Sequence, residues 1–246
     1  MTAPVAYFKV LVCILLGASP AFAGHLGSTD LNPRQTTPGL QLELGELPAS
    51  TAFSSKAYRL RASGYPRDLV FSVFAKNFVG SFDEVASGFH VDNAGNMILS
   101  RTTKTQRLED MVFGPGPYPR GAAWEVAVAS VDRSIAAFAR VIPYPIIARG
   151  GTCVISLELL SHRGDRFLVT GHGFVPGDDV ITESRYDGRV EQKRKRISVD
   201  GMLPLHVIAH AAIGLDRSAR YSVKSPSCEL AVDYEWGEPA LIRRSK

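Results

Sequence analysis

The chain has 246 residues, of which 45% are hydrophobic and 21% are charged, and its formal net charge is +4. This composition is ordinary for a globular protein that buries a core. Residues 24–145 carry 12 basic and 11 acidic side chains, and residues 146–246 carry 15 and 13. Neither half has the basic excess that marks a nucleic-acid-binding surface, so we expect no nucleic-acid partner.

The first 23 residues have the layout of a secretory signal peptide. Lys9 precedes an apolar run at 10–16, and Ala21-Phe22-Ala23 supplies a small-x-small cleavage site. The apolar run is too short to span a membrane stably, and no other stretch approaches 18 consecutive apolar residues. The sequence therefore predicts cleavage after Ala23 and an exported protein without a membrane span, in the periplasm or at the cell surface.

After this segment, residues 24–39 predict a flexible leader, because they are rich in Gly, Ser, Thr, Asn, Pro and Gln. From residue 40 onward, short apolar or alternating segments recur every ~8–12 residues between turn residues, which is typical of β-sandwiches. The predicted strands are 40–44, 69–74, 97–99, 124–128, 135–141, 153–159, 167–170, 180–186, 205–209, 221–224 and 230–236. Only residues 81–86 have some helical character, and this segment is too short to change the predicted fold class. The predicted fold class is all-β.

The two halves of the chain resemble each other. Tyr58–Pro66 aligns with Phe167–Pro176 at an offset of 109 residues with one insertion, and Val91-Asp92 aligns with Val199-Asp200 at an offset of 108. A period this long indicates two tandem domains. We predict them at 40–145 and 146–240, with a boundary near the prolines of 143–145, which interrupt any strand. Residues 241–246 are predicted to be a basic tail.

The segment Gly171–Val180 reads GHGFVPGDDV. Its glycines do not fit the phosphate-binding pattern G-x-G-x-x-G, whereas Pro176-Gly177 suits a type II turn. The pattern resembles the early hairpin of immunoglobulin-like modules in bacterial exported and surface proteins, and the turn at 199–201 resembles their mid-domain hairpin. The resemblance covers 152–239 well and 40–145 weakly. It implies two tandem immunoglobulin-like or fibronectin-like β-sandwiches.

Two cysteines remain once the predicted signal peptide is removed. In an oxidising compartment, the even pair Cys153 and Cys228 predicts a disulfide, with two separate buried thiols as the alternative. Cys153 lies in the first predicted strand of its domain and Cys228 starts the last. We therefore expect a bridge between terminal strands that lie side by side, unlike the inner-strand bridge of antibody domains.

Three features are candidate binding residues. Lys193, Arg194, Lys195 and Arg196 form the densest charge, flanked by Arg189. They either protect an exposed edge strand or contact an anionic polysaccharide or an acidic protein face.

The loop 114–121 carries Tyr118 between prolines and glycines, and is predicted to be a rigid, exposed recognition loop or a simple connection. His172 is the third candidate, as a lone histidine in a turn.

No metal or cofactor is predicted. His206 and His210 have metal-like spacing only on a helix, and their neighbours favour a strand, where four residues span roughly 13 Å. We therefore expect both to face outward. The segment 92–96 is faintly similar to a calcium loop, but Ala94 occupies a ligand position and a hairpin turn fits better.

Three hypotheses about function remain. The first is a non-catalytic binding or structural module of the periplasm or cell surface, whose partner is an envelope protein or a polysaccharide. The second is an exported hydrolase or metal-dependent enzyme with a site between the domains that uses His172 with Asp178 or Asp179. The third is a secretion or assembly accessory that offers a strand edge to a partner. Export, duplication and the lack of a catalytic motif favour the first.

Overall fold

The structure is a computed structural model that describes residues 31, 36–48, 55–101, 104–211 and 216–244. The predicted signal peptide, its cleavage site and most of the predicted leader lie outside the described residues. The described chain is built almost wholly of antiparallel strands, which confirms the all-β fold class. Within these ranges no helix has both the length and the apolar character needed to cross a membrane.

The first half forms two sheets. A two-stranded sheet has the order β1-β2, and a six-stranded sheet has the order β6-β5-β4-β3-β8-β9. The strands are β1 (Gln41–Glu46), β2 (Tyr58–Ser63), β3 (Phe71–Lys76), β4 (Phe82–Val91), β5 (Met97–Arg101), β6 (Lys104–Arg107), β7 (Tyr118–Pro119), β8 (Trp124–Ser130) and β9 (Ala136–Val141). A 3₁₀ helix, Leu108–Asp110, follows β6. The helical character assigned to 81–86 is wrong, because pairing with β3 makes this segment the start of β4.

The second half forms two four-stranded sheets, with the orders β10-β11-β12-β15 and β14-β13-β16-β17. The strands are β10 (Ile146–Gly150), β11 (Cys153–Leu159), β12 (Arg166–His172), β13 (Asp179–Tyr186), β14 (Arg189–Arg196), β15 (Leu203–Ala209), β16 (Ser218–Lys224), β17 (Glu229–Glu235) and β18 (Arg243–Arg244), with a 3₁₀ helix at Glu238–Leu241. Alternate residues of β11 and β13 are buried, so the two sheets pack face to face. We call this part the second sandwich.

A disulfide joins Cys153 to Cys228, as the sequence predicted, with Cα atoms 6.4 Å apart. Cys153 opens β11 and Cys228 directly precedes β17. The expectation that these strands lie side by side is wrong, because β11 pairs with β10 and β12 whereas β17 pairs with β16 in the other sheet. The bridge therefore crosses the core and ties the two sheets together.

The duplication seen in the sequence has a structural counterpart. In the first half β4-β3-β8-β9 are neighbours in the same order as β14-β13-β16-β17 in the second. Gly64 follows β2 and Gly173 ends the equivalent turn after β12, with φ of 84° and 81°. A Cβ on Gly64 would collide with the carbonyl oxygen of Gly39, and one on Gly173 with that of Thr152. The same backbone approach thus requires glycine in both halves.

The end of the described chain returns to the first half. Arg243 and Arg244 form β18, which pairs with β7. Of the predicted basic tail, 241–246, the two arginines thus lie in a small sheet, and residues 245–246 lie outside the described ranges. Nearby, the Leu159 N–H donates to the Gly121 carbonyl at 2.9 Å, which adds a second backbone connection between the two halves.

Two predicted turns are confirmed. In GHGFVPGDDV, the Asp178 N–H donates to the Val175 carbonyl at 3.2 Å, and Gly177 has φ of 81°, as a type II turn requires. In the hairpin between β4 and β5, the Asp92 carboxylate accepts the N–H groups of Ala94 and Asn96 at 2.9 and 2.8 Å. That carboxylate organises the turn, as an Asx turn does.

Candidate binding site at the open side of the second sandwich

Strand β14 is the edge of its sheet. Among the described residues it pairs only with β13, in an unbroken eight-residue register from Asp179↔Arg196 to Tyr186↔Arg189. Strand β15 is the edge of the opposite sheet and, in the part of the chain that the structure describes, pairs only with β12. The two edge strands lie against each other, so one side of the sandwich presents two free strand edges. We call this side the open side.

The edge strand β14 carries a large positive charge. Five of its eight residues are basic and only Glu191 is acidic. Lys193 lies 3.9 Å from Glu191, but within the described ranges Arg194, Lys195 and Arg196 have no acidic partner. Partial burial and then the charge of Lys193 lower the pKa of Lys195. This strand is therefore a cationic edge whose charges are mostly uncompensated.

The cations of β14 alternate between two faces. Lys193 and Lys195 lie opposite Thr182 and Val180, which are buried, so both lysines belong to the inner face. Arg194 and Arg196 lie opposite exposed residues of β13 and belong to the outer face. The lysines thus border the gap between the two sheets, whereas the arginines face solvent.

A cleft of about 220 Å³ lies between β14 and β15. We call it the edge cleft, and its polar side chains are Thr182, Ser184, Glu191, Lys193, His206 and Tyr221. The Thr182 hydroxyl donates to the Lys193 carbonyl at 3.2 Å. Ser184 is buried, and in the described part of the chain its hydroxyl has no hydrogen-bond partner. Inward strand positions that usually hold apolar side chains are therefore polar here.

His206 faces the edge cleft, and the prediction that it faces outward is wrong. Its Nδ1 lies 3.0 Å from the Pro204 carbonyl, which can only accept, so Nδ1 carries the hydrogen. Nε2 then accepts the Tyr221 hydroxyl at 3.0 Å. Burial is the main cause of a lowered pKa for His206. Both ring nitrogens are engaged, so this neutral imidazole is a structural part of the cleft wall.

His210 is also inward, against the prediction. It is 5% exposed, and its Nε2 lies 2.8 Å from the Tyr234 hydroxyl. The surrounding rings are Phe167, Tyr186, Tyr234 and Trp236. Burial lowers the pKa of His210 to about 4. The described ranges hold no group of three His, Cys, Asp or Glu side chains that could bind a metal ion.

Tyr118 is not available for recognition, so the prediction of an exposed loop is wrong at this residue. It is 3% exposed, and its hydroxyl donates to the Ala123 carbonyl at 3.0 Å. Burial is the main cause of its raised pKa. Tyr118 was placed at the surface because its neighbours are prolines and glycines, but pairing of β7 with β18 covers it.

His172 is exposed at the end of β12, Asp179 is exposed at the start of β13, and Asp178, just before β13, is half-buried. Among the described residues these three side chains form no hydrogen bonds with one another.

The sequence analysis missed the polar residues beneath β14. Their sequence signature is the alternation in 180–186, where Thr182 and Ser184 occupy the same face as the apolar Val180 and Tyr186. Once the inward face of a strand has been assigned, hydroxyl side chains on that face indicate a polar site between the two sheets.

The comparisons with known proteins identify no family for this chain. No protein-family description matches the chain, and no curated protein matches its sequence. Among solved structures, one described as a tetra-tandem repeat in the extending region of a large adhesion protein is similar, with 8% sequence identity and a TM-score of 0.27. The match covers 80% of this chain and 48% of the other, so the chain spans about half the length of that relative. A likeness this low carries no argument about function.

Proposed function

We propose that the protein is an exported, non-catalytic binding module that holds an anionic ligand at the edge cleft. The ligand's carboxylates belong to an acidic polysaccharide or to an acidic face of an envelope protein. The observation that carries this proposal is the combination of an uncompensated cationic strand with a polar inter-sheet lining directly beneath it.

Edge protection alone does not account for this arrangement. A charged, inward-pointing lysine is enough to prevent edge-to-edge pairing of sheets. Protection does not require the buried hydroxyl residues Thr182 and Ser184, or the half-buried His206, at positions where apolar side chains would stabilise the core more. The polar lining therefore has a purpose beyond keeping the protein monomeric.

The electrostatics suit a ligand with several negative charges. A single exposed ion pair contributes only ~0–1 kcal/mol. A row of cations acts together, because their summed field attracts an anion over about 8 Å at physiological ionic strength. The lowered pKa of Lys195 reflects partial burial first and then repulsion from Lys193, and a bound carboxylate would relieve that repulsion.

We also propose that the chain is two tandem immunoglobulin-like modules, 40–145 and 146–240, secreted after cleavage following Ala23. The repeated strand order and the paired glycines support the duplication, and the disulfide suits an oxidising compartment. Intact mass of the secreted protein tests the cleavage. A secreted chain that keeps Met1 would refute it.

Binding to immobilised alginate, a polyuronate, and to poly-glutamate tests the proposed ligand class. The double variant Lys193→Gln/Lys195→Gln should weaken binding at least tenfold at low salt and reduce its salt dependence. Arg59→Gln/Arg61→Gln is the matched control, because it removes two exposed cations from β2 in the first half. It should leave binding nearly unchanged.

A different result would show that the basic residues of β14 only protect an exposed strand edge. If the Lys193→Gln/Lys195→Gln protein binds both polyanions like the wild type and self-associates in sedimentation, then β14 serves only to protect its edge. Thermal stability should change by less than about 0.5 kcal/mol in either case, since the altered charges are largely solvated.

A further inference from the structure

Strand β15 is an edge strand without Asp, Glu, Lys or Arg, and its residues Leu203–Ala209 read LPLHVIA. In the described part of the chain, the four-stranded and six-stranded sheets have five other edge strands. Each of these carries at least one charged side chain, and they are β6, β9, β10, β14 and β17. Charged side chains on an edge oppose pairing with a further strand. Among these six edges, only β15 lacks that protection.

The edge of β15 also exposes apolar side chains. Leu205 is 68% exposed and Val207 is 51% exposed. Val207 lies opposite the half-buried Leu168 of β12, whereas the next pair along, Ile208 and Phe167, is buried. Because side chains alternate along a strand, Val207 and Leu168 share the outer face of their sheet. An apolar outer surface therefore runs up to a free strand edge.

The backbone of β15 offers a regular template for a further strand. The register with β12 shifts between Val169 and Gly171, but the four residues 206–209 pair with β12 without interruption. Alternate residues of a strand direct their N–H and C=O groups to opposite sides. A strand with a neighbour on one side therefore presents the other half of these groups along its free edge. An extended peptide can pair with them.

The charges beside β15 specify which peptide fits. Residues 206–209 border the edge cleft, and Lys193 and Lys195 of β14 border the same gap from the opposite sheet. A strand added to β15 would direct alternate side chains toward these lysines and the others toward the outer face, beside Leu205 and Val207. Acidic residues suit the first set of positions and apolar residues suit the second.

The same charges oppose a second copy of this chain as the occupant. Pairing of two β15 edges would bring two β14 strands close together, and each of these has five basic residues and one acidic residue. Their repulsion opposes such a dimer. A polysaccharide supplies negative charge but has no row of N–H and C=O groups for β15. The edge therefore favours an acidic peptide.

We infer that β15 binds an extended segment of a partner protein as an additional β-strand. The segment alternates acidic residues, which face the edge cleft, with apolar residues, which face outward. The acidic half of this pattern rests on the proposed anionic-ligand site, and the backbone pairing is a further property. In strand addition of this kind, main-chain hydrogen bonds give affinity and alternate side chains give specificity.

Three short peptides with blocked termini test the inference, and each has the same four glutamates and three valines. In the first, Glu and Val alternate; in the second, they form two blocks. The third is the alternating peptide with N-methyl groups on two adjacent central residues, which block both edges of its backbone. Binding to the mature protein is measured at constant ionic strength. We expect the alternating peptide to bind at least tenfold more tightly than either control, although all three have the same charge.

Protein variants separate strand pairing from charge attraction. Leu205→Thr/Val207→Thr removes apolar contacts but keeps residues that favour strands, so it should weaken binding of the alternating peptide about tenfold. It should leave alginate binding unchanged. Val175→Thr/Val199→Thr is the matched control, because it alters two exposed valines outside the strands, and it should change neither. Lys193→Gln/Lys195→Gln should weaken binding of both ligands.

Hydrogen exchange of the ¹⁵N-labelled mature protein identifies the pairing directly. The alternating peptide should slow the exchange of alternate amides in β15, because new hydrogen bonds protect them, and should not slow exchange in β14. Equal binding of the alternating and block peptides, with no slowed amide in β15, would overturn the inference and leave the proposed function intact. If alginate, poly-glutamate and all three peptides fail to bind, both are overturned. Self-association that Leu205→Thr/Val207→Thr abolishes would assign the edge to a second copy and overturn the inference alone.

Discussion

The two halves of the molecule share a strand order but differ in where one strand goes. In the first half, β5 stays beside β4 through the tight hairpin at 92–96, so β4 is an internal strand of a six-stranded sheet. In the second half the equivalent strand, β15, crosses to the opposite sheet and pairs with β12. Strand β14 is consequently left without an outer neighbour. A single change of sheet creates two free edges and the cleft between them.

The segments that precede the two strands differ in their contacts with the rest of the molecule. Asp92 caps a turn that sends β5 straight back along β4. The corresponding segment of the second half is anchored differently, because Ile197 is buried and the Phe174 N–H donates to the Gly201 carbonyl at 3.2 Å. The turn at 198–202 itself has the same pattern as 92–96, because the Ser198 N–H donates to the Met202 carbonyl as the Asp92 N–H donates to that of Asn96. The same strand order thus occurs with a covered edge at β4 and a free edge at β14 among the described residues.

The disulfide should cause the largest difference in stability between the two halves. Among the described residues, only the second sandwich has one. Replacing Cys153 and Cys228 by Ala should lower the free energy of unfolding of the second sandwich by up to roughly 4–5 kcal/mol, since the bridge closes a loop of 75 residues. Guanidinium unfolding followed by the indole signals should show an earlier transition at Trp236 than at Trp124. Titration of the denatured, unreduced wild type should find no free thiol. Two reactive thiols per chain would contradict the bridge.

His210 should make the stability of the second sandwich dependent on pH. Burial lowers the pKa of His210 in the folded protein to about 4, against an ordinary value of 6.5, so the unfolded chain binds more protons between these values. The neutral imidazole's contribution is complete above pH 6.5 and is lost as the pH falls toward 4, by about 3 kcal/mol at most. The nearby carboxylates of Glu191 and Asp165 partly offset the shift.

Urea unfolding at pH 7 and pH 4.5, followed at Trp236, measures this dependence. His210→Phe should remove most of the difference between the two pH values, although it lowers stability at both. An unchanged pH dependence in that variant would assign the effect to other groups.

The paired glycines test whether the two halves are equivalent. Gly64→Ala and Gly173→Ala should each destabilise their own half by about 1–3 kcal/mol or more, because each combines a positive φ with a collision against a backbone carbonyl. Gly177→Ala is the control, since Gly177 has a similar φ of 81° but open space around it. It should cost only about 1 kcal/mol. A loss at Gly64 or Gly173 no larger than at Gly177 would show that the close approach is absent.

Much of the fold follows from alternation in the sequence, because alternation reports burial directly. The strand 153–159 matches its prediction at both ends, since every second residue is apolar and buried. Strand β4 was missed because most of its first seven residues are exposed and show no alternation. Its place depends on pairing with β3 and β5, which local sequence does not reveal.

The candidate site was only partly predictable, because its partners are distant in sequence. The basic run 193–196 was visible, and so was its place on an edge strand. The inward orientation of His206 and His210 could not be predicted from the sequence. It depends on the hydroxyl groups of Tyr221 and Tyr234, which lie 15 and 24 residues away. A histidine in a strand is assigned to the surface unless its buried partner is known.

Chemical-shift mapping with an alginate oligosaccharide tests most directly the claim that the open side of the second sandwich is the binding surface. Backbone ¹H–¹⁵N spectra of the mature protein are recorded at low salt with increasing oligosaccharide. We expect the largest shifts in β14 and β15, and in His206 and Tyr221 behind them, with little change in β4 and β5. Equal shifts in both halves, or shifts confined to the first half, would contradict the account.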